Sequence, residues 1–183
     1  MTASLLRPAA AEFLRVAHGV RDLSAATPCA GFDVRGLLHH LLYWGPWLIA
    51  AGRREEPPAP ASGSLVADDW RGALEKQTET LVEVFSAPGS GTTFLGAAEL
   101  PVSVVGDMVL GEFVLHGWDL ARASGQSLRC APEAAVAVFE SAVAMGEQAR
   151  AMGVYGPAVE VAVDASPLER ALGASGRDPA WMP

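Results

Sequence analysis

The chain has 183 residues, 50% of them hydrophobic and 19% charged, enough apolar side chain to bury one core and too little length for two domains of ordinary size. Thirteen Lys and Arg stand against 21 Asp and Glu, a net charge of −8; with no basic run longer than Arg53 and Arg54, this argues against nucleic acid as a partner. A mean hydropathy of +0.23 argues against disorder. The longest apolar stretch, residues 41–52 with Pro46 inside it, falls well short of the roughly 20 residues that span a bilayer.

Helical periodicity dominates, punctuated by Pro and Gly. Pro8 opens a predicted helix over 8–21, in which Phe13, Leu14, Ala17 and Val20 recur at three- and four-residue spacing and His18 is read as a surface residue. The N-terminus before it lacks the basic start and apolar run of a secretory signal, so we expect a cytoplasmic protein whose Cys29 and Cys130 stay thiols. Asp33 is placed to cap a second helix reaching about residue 51 and bent at Pro46, because a capping carboxylate accepts N–H bonds that the first turn leaves free. Residues 53–64, with Pro57, Pro58 and Pro60, read as a surface loop. Asp68 or Asp69 is expected to cap a third helix with Trp70, Leu74, Leu81 and Phe85 buried and a stop at Pro88-Gly89.

Pro101 introduces a fourth predicted helix over 102–124, stopped by Gly125. A fifth starts at Pro132, apolar at Val136, Phe139, Val143 and Ala144, and fades near Gly153. Beyond Gly156, the alternation of Val159, Val161 and Val163 predicts an extended strand lying across the helices. A short helix over 167–172 and a turn at 176–179 complete the tail. The expected architecture is all-α: one domain over 1–183, a four-helix bundle with an additional helix and a short extended C-terminal tail over 156–183.

The fourth helix carries an anomaly. At 100° per residue Val102, Val105, Val109, Phe113 and Leu120 define a buried face, and Glu112, His116 and Asp119 fall in the same sector. An unpaired buried carboxylate costs several kcal/mol at least, so something must compensate it, and a metal ion would. On the second helix Val34, Leu37, Leu41, Trp44 and Leu48 form the core side, with His40 at its margin and His39 pointing nearly opposite, into solvent. His40, Glu112 and His116 would give two imidazoles and a carboxylate, a set suited to zinc with an open position or to a facial Fe(II)-type site. Asp119, one turn on, orients a ligand or pairs with Arg122. Cys29 precedes the second helix's N-terminus, which favours a thiolate, although a small packing residue is the plainer reading. Trp44, Trp47 and Trp118 read as packing.

Four segments in order carry a resemblance: Thr27-Pro28-Cys29-Ala30-Gly31-Phe32-Asp33-Val34-Arg35; Leu38-His39-His40-Leu41; Gly111-Glu112-Phe113-Val114-Leu115-His116-Gly117-Trp118-Asp119-Leu120-Ala121-Arg122-Ala123; and Gly176-Arg177-Asp178-Pro179-Ala180-Trp181. Together they resemble an actinobacterial metal-binding family of the DinB-like helical-bundle superfamily, related to the N-terminal domain of mycothiol-dependent maleylpyruvate isomerase. The resemblance implies a DinB-type four-helix core and a divalent metal, zinc first, on His40, Glu112 and His116. It also implies a low-molecular-weight thiol, mycothiol, as cofactor. The isomerase has a further C-terminal domain, which the segment after Gly156 is too small to supply.

The expected activity is thiol transfer to, or isomerisation of, a small electrophile, with the ion lowering the thiol pKa. Asp119 and Arg122 are the candidate catalytic residues. Arg177 is the candidate anchor for an anionic cofactor or substrate group, although both arginines could equally be surface charges or partners of Asp119 and Asp178. The alternatives are hydrolysis by metal-activated water with Glu112 or Asp119 as proton acceptor, and a non-catalytic ligand- or partner-binding module.

Overall fold

The computed structural model describes residues 3–87 and 89–183. Its element order is α1 (Ala3–Gly19), α2 (Val34–Arg53), α3 (Trp70–Ser86), β1 (Thr92–Leu95), β2 (Ala98–Pro101), α4 (Val102–Gly111), a single π turn (Glu112–His116), α5 (Gly117–Ala123), α6 (Pro132–Ala151) and α7 (Pro167–Ala174). The fold is an all-α bundle of the DinB type. α1, α2, α3 and the rod formed by α4, the π turn and α5 pack together, α6 lies against that rod, and α7 packs on α6. One hydrophobic core runs from Leu6 to Leu172. Among the described residues, no helix is long and apolar enough to cross a membrane.

Local chemistry sets several boundaries. Asp33 caps α2, its side chain accepting from Gly36 N at 2.7 Å, and α2 runs unbroken through Pro46, with Gln77 of α3 donating to Leu41 O at 2.8 Å in the turn before it. Gly125, at φ +66, ends the rod in the left-handed conformation that costs glycine little. A capping box between Ser166 and Glu169 starts α7.

Other expectations are corrected. α1 spans Ala3–Gly19, with Pro8 inside it and Leu6, ahead of the proline, wholly buried. Asp69 occupies the cap position of α3 without a side-chain capping bond. The expected stop at Pro88 lies outside the described residues. The hairpin β1–β2 was not foreseen, since four-residue alternations are too short to stand out; it is tied to α2 by Thr93 Oγ1, which donates to Ala51 O at 2.6 Å. α6 turns its alanines inward, burying Ala134, Ala135, Val138 and Ala142 and leaving Val136 and Val143 exposed. Trp44, placed on the core side of α2, is exposed.

The Val159 to Val163 alternation forms no strand. Val159 N donates to Gly173 O at 2.9 Å and Val163 is open to solvent, so an extended segment drapes over α7 with no ladder to make use of its alternation.

The fourth predicted helix departs most from expectation. It is continuous, but it widens into the π turn at Glu112–His116, and every residue from Phe113 to Ala121 is buried. A helix buried on all sides is a central one. The single buried face inferred from periodicity was therefore too narrow, and π turns of this kind are frequent at functional sites.

Candidate metal centre

The π turn and α2 bring His40, Glu112 and His116 together. Oε2 of Glu112 lies 3.6 Å from Nε2 of His40 and 3.6 Å from Nε2 of His116. One ligand-type atom from each of the three falls within 4.8 Å of the other two. Tetrahedral zinc bonds of about 2.0–2.1 Å place ligand atoms about 3.4 Å apart, close to the two His–Glu112 spacings, so the donor set is of the kind and spacing that a zinc-sized ion takes. The His40 ring is held by Phe32 at 5.5 Å between centroids and meets His116 edge-on at 5.1 Å.

Behind His116 lies a fixed polar layer. Nδ1 of His116 donates to Oδ2 of Asp119 at 2.9 Å, which leaves Nε2 to face Glu112 and His40, the arrangement by which a carboxylate sets a ligating imidazole's tautomer. Asp119 has no exposed surface. Its two oxygens are clasped by Arg177, Nε to Oδ1 at 2.9 Å and Nη2 to Oδ2 at 2.8 Å, a two-pronged pairing that only a guanidinium provides.

The electrostatics follow from these contacts. Burial would raise the Glu112 carboxyl, but the charge on His116 and the contact with His40 hold it below the usual carboxylate range. Burial would lower His116, yet the Glu112 charge and the Asp119 hydrogen bond push it up to about 10. Asp119 is likewise held low against its burial, by the Arg177 charge and the His116 bond. The cluster is thus built to stabilise positive charge between Glu112 and Asp119, whether a proton or a metal cation supplies it.

The remaining candidates separate. His39 is partly buried rather than solvated, and its Nδ1 accepts from Leu65 N at 3.3 Å, pinning the loop ahead of α3. His18 faces Glu75 on the surface, 3.8 Å away. Arg122 is engaged with the C-terminus, where Nε donates to Trp181 O at 3.1 Å and Nη2 to the same oxygen; the expected pairing of Asp119 with Arg122 is made by Arg177 instead. Arg177 lies inside the site but directs its bonds at protein groups. Cys130 sits apart, its thiol pushed up to about 11 by burial.

Sequence reasoning weighed Cys29 without placing it at the site and missed Tyr155. Cys29 offers its sulfur within 4.8 Å of ligand-type atoms of His116 and Asp119, with Nη2 of Arg177 at 3.8 Å, and that guanidinium disfavours a cation on this side. Tyr155 is partly buried, and its phenol is raised by burial, with the Arg177 charge opposing and the Glu112 charge adding. No spacing rule links Tyr155 to residues forty positions away; for Cys29 the only signal was its place before α2.

Comparison with known proteins places the chain in a family. Uncharacterized proteins from two strains of Mycobacterium tuberculosis are each 33% identical over 121 residues, an alignment covering 63% of this chain and 62% of the relative. The chain thus spans less than two thirds of the length of the curated relatives it matches. No solved structure matches. The family model for the mycothiol maleylpyruvate isomerase N-terminal domain matches residues 6–121, a span that contains His40, Glu112, His116 and Asp119, and the chain belongs to that family.

Proposed function

We propose that the protein holds one divalent ion, zinc by the chemistry of its ligands, on His40, Glu112 and His116, and uses it to act on a low-molecular-weight thiol, mycothiol, in transfer to or isomerisation of a small electrophile. The observation that carries the reading is the convergence of two Nε2 atoms on one oxygen of Glu112, each at 3.6 Å, with the other nitrogen of His116 already bonded to Asp119. Three protein ligands leave a position for an exogenous one. When bound, the ion would supply Lewis acidity that lowers the pKa of a thiol brought to that position, and sulfur suits a borderline-soft cation.

The chain's own residues supply the rest. Glu112 contributes the single ligand charge, His40 and His116 remain neutral donors, and Asp119 keeps the His116 proton on Nδ1. The same geometry weighs against hydrolysis by activated water. The two carboxylates that could take the water's proton are both engaged: Glu112 is a ligand in this reading, and both oxygens of Asp119 are held by Arg177 and His116. A cytoplasmic setting, where such thiols are kept reduced, belongs to the same proposal.

Elemental analysis of the purified protein should find about one divalent ion per chain, and His116→Ala should lose it. In cobalt-substituted protein, mycothiol should perturb the visible spectrum, and turnover across a panel of small electrophiles should depend on the thiol. Equal metal content in wild type and His116→Ala would refute the site. A spectrum indifferent to millimolar thiol, with no thiol-dependent turnover, would refute the thiol chemistry.

A further inference from the structure

The guanidinium of Arg177 touches His116 and its partner Asp119 and reaches the turn ahead of α2. Nε and Nη2 hold Asp119 of α5 at 2.9 and 2.8 Å. Nη2 lies 3.3 Å from Nδ1 of His116, because the two nitrogens share Oδ2 of Asp119 as acceptor. The same Nη2 reaches Sγ of Cys29 at 3.8 Å, in the turn that leads into α2 and His40. Nη1 donates to Ser175 Oγ at 3.1 Å. One side chain, only 6% exposed, therefore joins the His116–Asp119 pair to the turn ahead of the helix that carries His40.

Arg177 reaches this position on the C-terminal tail, beyond the family-matching residues 6–121, and the tail is shaped to deliver it. Gly176 sits at φ +84 directly against Gly156, where an added Cβ would stand 2.7 Å from backbone atoms, and a Cβ on Gly173 would stand 2.6 Å from Val159 O. Arg177 N then closes onto Leu172 O at 2.9 Å. Backbone this close has one register, so the guanidinium has one place to go.

The electrostatic role is equally definite. A carboxylate as buried as Asp119 requires a permanent cation, and arginine does not lose its charge. With that charge balanced and both oxygens fixed, Asp119 keeps a single orientation in which it accepts from His116 Nδ1 and turns Nε2 to the ligand side.

We propose that Arg177 is a positioning residue of the metal centre: it acts through Asp119 on the tautomer and ring angle of His116, so that the C-terminal tail is part of the site. This inference rests on the reading of His40, Glu112 and His116 as metal ligands.

The test compares full-length wild type, Arg177→Met, Arg177→Lys, Asp119→Asn and the Arg177→Met/Asp119→Asn double variant. Cobalt and zinc affinities are measured by competition with a chromophoric chelator, beside the cobalt visible spectrum, far-ultraviolet circular dichroism and melting. Arg177→Met should weaken binding about 10- to 100-fold, the range for lost outer-shell support, and shift the cobalt bands. Arg177→Lys, which retains the charge but not the two-pronged clasp, should lose less. The double variant should bind no more weakly than Asp119→Asn, because both changes cut the same route. Arg177→Met with wild-type affinity and spectrum, even at a lowered melting temperature, would overturn the inference, as would additive losses in the double variant. If Arg177→Met does not fold, wild-type affinity and spectrum in Arg177→Lys would overturn it. A wild type that binds no metal refutes the underlying reading, which separates the two failures.

Discussion

Adjacent histidines on one helix give the sharpest test of the candidate centre. His40 points its Nε2 at Glu112, 3.6 Å away, while His39 uses Nδ1 to accept from Leu65 N at 3.3 Å. Zinc held by four ligands in structural sites is bound by about 10–16 kcal/mol, so one ligand of such a set contributes about 2.5–4 kcal/mol, or about 100- to 1,000-fold in affinity. His40→Ala should weaken metal binding by that factor. With free metal at 1,000 times the wild-type Kd, binding stabilises wild type by about 4.1 kcal/mol; the His40→Ala protein, at about 1–10 times its own Kd, gains only about 0.4–1.4 kcal/mol. At about 2–4 °C per kcal/mol for a chain of this size, added zinc should raise the wild-type Tm by about 8–16 °C and that of His40→Ala by no more than about 6 °C. His39→Ala should show the full wild-type increment from a baseline lowered by about 0.5–1.5 kcal/mol for the lost hydrogen bond. Differential scanning fluorimetry with and without zinc measures all three. Equal metal-induced shifts in wild type and His40→Ala, or a lost shift in His39→Ala, would refute the ligand assignment.

Asp33→Ala removes the bond to Gly36 N at 2.7 Å and should cost about 1 kcal/mol in urea denaturation. Glu12, bonded to Arg15 and Arg129, has its carboxyl lowered from 4.5 to about 2. Its folded-state pKa is depressed, so its stabilisation is present above about pH 4.5 and disappears as pH falls toward 2. The stability gap between wild type and Glu12→Gln should therefore narrow over that range in acid denaturation. Gly153 at φ +72 has open space around it, whereas Gly176 at φ +84 is pressed against Gly156. Gly153→Ala should cost about 1–2 kcal/mol for the left-handed backbone, and Gly176→Ala about 1–3 kcal/mol more for overpacking; equal midpoints in denaturant would contradict the tail packing.

Much of the bundle was legible because it depends on neighbours in sequence. Periodicity located α2, α3, the rod and α6; Asp33 and Gly125 marked their ends through a cap bond and a positive φ; and i, i+4 geometry put Glu112 and His116 on adjoining turns while separating His40 from His39. Each of these is a consequence of 3.6 residues per turn and of one residue's freedom. Composition likewise fixed the class of molecule, an acidic helical chain with enough apolar content for a core.

What tertiary structure decided was every choice between energetically similar local options. α6 buries Ala134, Ala135, Val138 and Ala142 and leaves Val136 and Val143 outside, a choice of face that its own apolar pattern does not make. Trp44 turns outward although a helical wheel places it inward, and the Val159 to Val163 alternation finds no partner strand. The π turn at Glu112–His116 is a shift of one backbone hydrogen bond, which no side-chain pattern reports, at the start of a stretch buried on all sides. The partner of Asp119 lies 58 residues away at Arg177 rather than three residues away at Arg122, because burying a carboxylate completely requires a cation that is buried with it, and the tail can carry one there while Arg122 is held at the surface by the carbonyl of Trp181. Periodicity sees only which way a side chain leaves its own helix. Which group meets it depends on how distant segments come together, and the second layer of this candidate site lies on that side of the divide.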